Sequence, residues 1–276
     1  MNDATLTRGQ RWLRALAGEA GTCGTPSSSP VAHVDAQLAG DLARFIAVVP
    51  DAENRFARAR ENVVGLEQGW LLARAVREVI ESDAASERRR PIVAIVDVKS
   101  QAYGYREEML GIHLACAAAV DAYACARQAG HPVVALIVGP AMSGAFLAHG
   151  YQANRILALD APGTMVHAMG KDAAARVTRR SVEALDALGE TITPMSYSLS
   201  AIAKLGLLDR LIDNVDADSP NDEQIARVRQ ALIEAVASAR QGPRDLSHRL
   251  ASDAAKTTRA ASIDVRRRIA EQWNAC

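Results

Sequence analysis

Apolar positions along this chain follow two rhythms. Short unbroken runs of Val, Ile and Leu alternate with longer stretches in which apolar residues recur every three or four positions. The first pattern predicts buried strands, the second helices with one apolar face. PIVAIVDV (residues 91–98) and residues 132–138 are of the first kind and read as strands covered on both faces. Residues 31–34 and 43–49 also carry strand signals, the second stopped by Pro50-Asp51. GLEQGWLLARAVREVI (65–80) predicts a helix, and residues 107–129 predict a longer one ended by Gly130. There follow a helix over 143–150, a strand over 155–159, a turn over 160–163 and a short strand over 165–168. The remainder reads as helical, with a helix near 181–188, a bend at Gly206, and amphipathic runs over 221–239 and 246–273. Near the start, Thr5 or Thr7 caps a helix (about residues 5–19), and the Gly/Ser/Pro-rich stretch 21–30 reads as a mobile loop. We read residues 1–276 as one α/β domain, with a helical extension from about residue 206.

The junction VVALIVGPAMSGAFLAHG (133–150) carries the most chemistry. A buried strand stops at Gly139-Pro140, and a helix begins after a step of small residues. Such a step leaves backbone N–H groups without helical partners. Small side chains let a substrate oxygen approach them. That arrangement suits a developing oxyanion, and it also suits a plain strand–helix turn.

Composition removes several classes. Lys+Arg 32 balances Asp+Glu 32, and only 4% of residues are aromatic. There is therefore no global basic field and no stacking platform for nucleic acid. No apolar run approaches the roughly 20 residues that span a bilayer, and the N-terminus lacks the apolar segment of a signal peptide. We expect a cytoplasmic protein. Cys23, Cys116, Cys125 and Cys276 form no CxxC pair, so neither zinc nor a disulfide framework is expected. No GxGxxG follows a strand and no GxxxxGK[ST] occurs. Strand, long helix, strand, glycine step and helix instead suggest a ββα-like spiral.

Residues 95–177 resemble the carboxyltransferase branch of the crotonase/Clp-protease superfamily. There, a VDVPGFxPG-type loop and a GGA-type loop each place backbone amides at an active site. The first appears here as Val96-Asp97-Val98-Lys99-Ser100-Gln101-Ala102-Tyr103-Gly104, the second as Ala141-Met142-Ser143-Gly144-Ala145. Within that branch, FIAVVPDAENRFARAR (45–60), GLEQGW (65–70), MSGAFLAHG (142–150) and MVHAMGKDAAAR (165–176) are most similar to gamma subunits of biotin-independent malonate decarboxylases. The likeness reaches to about Ser200.

The resemblance implies a crotonase-like ββα spiral with flanking helices. It implies a beta subunit of the same fold, an acyl carrier protein whose phosphopantetheine-type arm carries the malonyl group, and an acyl-carrier transferase. Neither biotin, a metal nor a cofactor bound in this chain is implied. Loss of CO₂ from a malonyl thioester leaves an enolate with its charge largely on the thioester oxygen, which N–H donors stabilise. Gly104, Ser143, Gly144 and Ala145 are the expected donors, and His167 the expected source of the proton. Gly139, Met142, Tyr103, Met169 and Gly170 are expected to line the substrate.

The chain departs from the carboxyltransferase pattern at three places. Lys99-Ser100 replaces Pro-Gly, Ser143 replaces the first glycine of its pair, and His167 stands where a small apolar residue is usual. His167 also opens a rival reading, a Clp-type serine peptidase. In that register the nucleophile falls on Met142, whose thioether cannot serve, and Ser143 is one residue out. A biotin-dependent carboxyltransferase subunit and a non-catalytic docking subunit remain as alternatives. The quieter readings are a loop cap for Asp97, solvated lysines at Lys99 and Lys171, and a structural corner for His131. By the same reasoning His149 points away from the junction, and Arg88-Arg89-Arg90 is a solvated turn.

Overall fold

The computed structural model describes residues 6–18, 22–23 and 29–274. Helix α1 (Arg8–Ala17) is started by Thr7, whose hydroxyl accepts from the Gln10 N–H while the Gln10 side chain bonds back to the Thr7 N–H. This reciprocal cap favours Thr7 over Thr5, which lies outside the described residues. Most of the expected mobile loop, residues 21 and 24–28, also lies outside them. Within it, β1 (Thr22–Cys23) pairs antiparallel with β2 (Val31–Leu38). β2 and β3 (Asp41–Val48) form a hairpin closed by Ala39 and Gly40, at φ 55° and 82°, the positive pair that suits a two-residue turn between twisted strands.

From β3 onward the sheet is parallel. Helix α2 (Leu66–Ser82) leads to β4 (Ile92–Val98), and α3 (Tyr105–Met109) and α4 (Ile112–Gln128) lead to β5 (Val133–Met142). Then come α5 (Ser143–Ala148), β6 (Arg155–Leu159), β7 (Met165–His167), α6 (Lys171–Thr178), α7 (Val182–Thr191), α8 (Leu199–Lys204) and β8 (Arg210–Ile212). Helices α9 (Asp222–Gln241), α10 (Asp253–Thr258) and α11 (Ala260–Asn274) complete the described chain. The strand order is β1-β2-β3-β4-β5-β6-β8, with β7 paired to the end of β5.

Both faces of the sheet are covered, as the unbroken apolar runs require. Ile92, Ala94 and Val96 join a core formed with α2, α4 and α5, while Val93 and Ile95 pack on the opposite side with residues of α1 and α9. α2 and α4 approach closely because Gly69 has no Cβ; one built there would lie 2.7 Å from the backbone of Ala115.

The structure corrects four sequence expectations. The helix read over 107–129 is two helices, separated at Gly111, whose φ of 84° no continuing helix accepts. The strand read over 132–138 runs on to Met142, because Pro140, Ala141 and Met142 pair with Met165, Val166 and His167. The stretch beyond Gly206 is not wholly helical, since β8 adds to β6 through Leu157–Arg210 and Leu159–Ile212. The run over 246–273 is interrupted by a 3₁₀ turn at Ser247–Leu250 and by Arg259, which separates α10 from α11. No described helix is long and apolar enough to cross a membrane.

Candidate functional site

The carboxyl ends of β4, β5 and β7 converge on a cleft of about 1070 Å³. Of the residues singled out in the sequence, Tyr103, Met142, Ser143, Gly144, His167, Met169 and Gly170 line it. Three expected residues do not. Ala145 is buried in the core among α5, α4 and the sheet. Gly104 begins α3 in extended backbone, where an added Cβ would lie 2.5 Å from the Glu107 carboxylate and 3.0 Å from Arg58. Gly139 leaves its space to the carboxylate of Asp97. These last two glycines answer a packing demand and do not face the cleft.

Ser143 turns the chain from β5 into α5 with φ 55°, a left-handed conformation that costs a non-glycine residue roughly 1 kcal/mol. That cost explains why glycine is usual there. The Ser143 hydroxyl donates to the Ala168 carbonyl at 2.6 Å, tying the turn to the residue after β7. The hydroxyl is therefore committed to backbone and not to His167, which removes the serine–histidine pair that a peptidase reading needs.

The next amide meets an unexpected partner: the Gly144 N–H donates to the Gln101 side-chain oxygen at 2.8 Å. Gln101 is aimed by its own backbone. Its neighbours bond to Val64 on both sides, with the Val64 N–H donating to Ser100 O and the Ala102 N–H to Val64 O. Gly144 must be small for this contact, since a Cβ there would sit 3.1 Å from the Gln101 oxygen.

His167 is positioned by β7, whose register sets it beside Met142. Its ring stacks on Tyr197 with centroids 3.7 Å apart, and its Nδ1 lies 2.9 Å from Met169 O and 3.2 Å from Met169 N. The Tyr197 hydroxyl donates to Met169 O at 2.8 Å. Nδ1 thus faces both the carbonyl and the N–H of Met169. Burial pushes the His167 pKa below its ordinary value, so the ring is neutral at pH 7.

The remaining candidates take their structural readings. Asp97 accepts from the Gly9 N–H at 3.0 Å and from the Asn62 amide at 3.1 Å, joining the end of β4 to α1. Burial raises its pKa, against the opposing effect of the Gly9 N–H. Lys99 pairs with Glu61 at 2.8 Å and Lys171 with Asp186 at 2.6 Å. His131 is buried and bonded to Arg90 O. His149 lies wholly inside the protein between the Tyr123 hydroxyl and Ile95 O, both at 3.0 Å. Arg88 and Arg90 are ion-paired to Asp41 and Asp83, so the arginine turn is a clamp on the fold more than a solvated face. Among the described residues, no group of three or more His, Cys, Asp or Glu side chains could hold a metal.

Sequence reasoning passed over Gln101 and Tyr197. Gln101 lies inside the loop already singled out for its amides, so a polar side chain there was a usable signal. Tyr197 lies 28 residues beyond its Met169 partner, and only the fold brings them together.

The geometry can be set against known proteins. A family model for the malonate decarboxylase gamma subunit matches residues 59–273. A Pseudomonas malonate decarboxylase hetero-tetramer, solved with coenzyme A, contains a chain 54% identical to this one. The match covers 97% of this chain and all of that one, with a TM-score of 0.89. The Pseudomonas MdcD-MdcE hetero-dimer gives 52% identity, the same coverage and a TM-score of 0.87. The malonyl-S-ACP:biotin-protein carboxyltransferase MADD of Malonomonas rubra is 37% identical over 193 residues, 68% of this chain and 66% of that protein. Transcarboxylase 12S, at 18% identity and a TM-score of 0.56 over 78% of this chain, shares the fold. The chain belongs to the malonate decarboxylase gamma-subunit family.

Proposed function

We propose that this chain, paired with a beta-type subunit of the same fold, decarboxylates a malonyl thioester held on the prosthetic arm of an acyl carrier protein, giving the acetyl thioester and CO₂. The observation that carries this reading is the Gly144 N–H, facing the cleft and occupied by a neutral carboxamide oxygen. A thioester oxygen has the same acceptor chemistry and would displace Gln101. As the C–C bond to the carboxylate breaks, its electron pair moves into the enolate and negative charge grows on that oxygen. The Gly144 amide then bonds more strongly than in the ground state, which is the condition for lowering a barrier. His167, which lines the cleft, delivers a proton to the carbanion carbon. Ser143 holds the turn in place, and no side-chain nucleophile takes part.

A second reading, a carboxyltransferase that passes the carboxyl group to a biotin protein, is favoured by the name of the Malonomonas relative. The two part on one experiment. The chain is co-expressed with its beta-type partner, and CO₂ release from malonyl-S-carrier is followed with and without avidin. Release that avidin does not affect is expected. Release abolished by avidin selects the biotin route, and a complete complex that releases no CO₂ overturns the decarboxylase reading.

A further inference from the structure

At the mouth of the cleft, the end of α6 presents Arg176, Arg179 and Arg180 within five residues, and all three are exposed. Arg176 itself lines the cleft. Among the described residues, none of the three is ion-paired. Many other cations of the chain are held by carboxylates. Arg8 is held by Asp218, Arg44 by Asp35, Arg90 by Asp83, and Arg88 and Arg240 share Asp41. Even on α6, Lys171 is held by Asp186 at 2.6 Å and lies over the Tyr197 ring. Lys99, the other cation lining the cleft, is taken by Glu61.

Local structure fixes this cluster. Arg179 ends α6 in a left-handed conformation with φ 53°, and the Arg180 N–H folds back to Ala175 O. Three like charges are thus gathered beside the opening, and among the described residues none of them is ion-paired. Such a field attracts an anionic partner and raises its association rate.

We propose that Arg176, Arg179 and Arg180 are the docking surface for the anionic carrier that brings the acyl arm, with Arg176 meeting the phosphodiester that joins the arm to its carrier. This rests on the function proposed above, because it identifies what enters the same cleft. Charge complementarity supports it: guanidinium matches phosphate in bidentate geometry, and Arg179 and Arg180 stand exposed just beyond Arg176, outside the cleft lining.

The test uses the complex with its beta-type partner and three substrates: malonyl-S-carrier, malonyl-coenzyme A and malonyl-pantetheine, which has no phosphate. In an Arg176→Gln/Arg179→Gln/Arg180→Gln variant, the KM for malonyl-S-carrier should rise about tenfold at low salt, with a flatter salt dependence. Its kcat should stay within about twofold, as expected of a rim charge that acts on association. Constants for malonyl-pantetheine should be unaffected. An unchanged carrier KM overturns the proposal. So does an equal loss on malonyl-pantetheine, which would mark a structural role, or an equal loss on malonyl-coenzyme A, which would mark a bare phosphate contact. If the unsubstituted complex turns over none of the three, the decarboxylase reading has failed instead. Titration of the carrier protein onto wild-type and variant complexes then decides the docking surface alone, with weaker binding to the variant expected and equal binding overturning it.

Discussion

Gly144 is the residue on which the site turns. A side chain there meets the Gln101 oxygen at 3.1 Å and occupies the approach to its own amide. We expect Gly144→Val to abolish turnover in the assembled complex while lowering stability by about 1–3 kcal/mol, as overpacked positions do. Near-wild-type kcat in a complex that assembles would leave the Gly144 amide with no part in catalysis. His167 offers a different separation. Loss of a general acid lowers rates by about 10²–10⁴, whereas loss of one loop hydrogen bond removes only about 1 kcal/mol of stability. His167→Gln should therefore reduce kcat at least about a hundredfold with little change in Tm. A kcat within about threefold of wild type would assign His167 to the Met169 turn and the Tyr197 stack alone.

Among the elements, α4, α5 and β4 are held together at one buried point. His149, just past α5, takes the Tyr123 hydroxyl from α4 on one ring nitrogen and gives its proton to Ile95 O of β4 on the other. Complete burial favours the neutral ring and lowers its pKa to about 4. Between that value and the unfolded value near 6.5, the unfolded chain binds the extra proton. Stability from this group is therefore full above about pH 6.5 and is lost as pH falls towards 4. The shift corresponds to about 3 kcal/mol. Burial moves His33 and His131 in the same direction. We expect urea unfolding to show a loss of stability between pH 7 and pH 4.5 that is smaller in His149→Gln. An unchanged pH slope in that variant would place the titration on the other histidines.

At the scale of the molecule, two clusters stand out among the exposed apolar side chains. Tyr105, Met109, Leu110 and Leu114 are exposed on α3 and the start of α4, and Val265, Ile269 and Trp273 form a stripe on α11. Trp273 is 82% exposed, an unusual position for so large an apolar side chain. The malonate decarboxylase relatives were solved as a hetero-dimer and as a hetero-tetramer. We predict that the purified chain self-associates, is poorly active alone, and binds a beta-type partner through an interface above about 2,000 Å². Light scattering and activity measured together provide the check. A monomer fully active at micromolar concentration would reject the prediction. Met109→Asp with Leu114→Asp should weaken binding to the partner if the α3/α4 surface is its seat.

The sequence alone determined the sheet and its covering. Unbroken apolar runs at β4 and β5 admit no solvated face, and the periodicity of α2 and α9 admits no strand, so local chemistry settled those elements. It also located the β5–α5 junction and the loop after β4, because small residues between a buried strand and a helix leave amides unpaired wherever they occur. What it could not decide was which amides face the cleft. Gly104, Gly139 and Gly144 look alike in one dimension, yet the first two make room for Glu107 and Asp97, and only Gly144 lines the cleft. Short elements were equally hidden. β8 has three residues and exists because β6 offers it an edge, and β5 extends to Met142 because β7 pairs with it. Gln101, Tyr197 and the unpaired arginines of α6 acquire meaning only from what tertiary structure brings to them or withholds. Contacts between residues distant along the chain leave no periodic trace in a sequence.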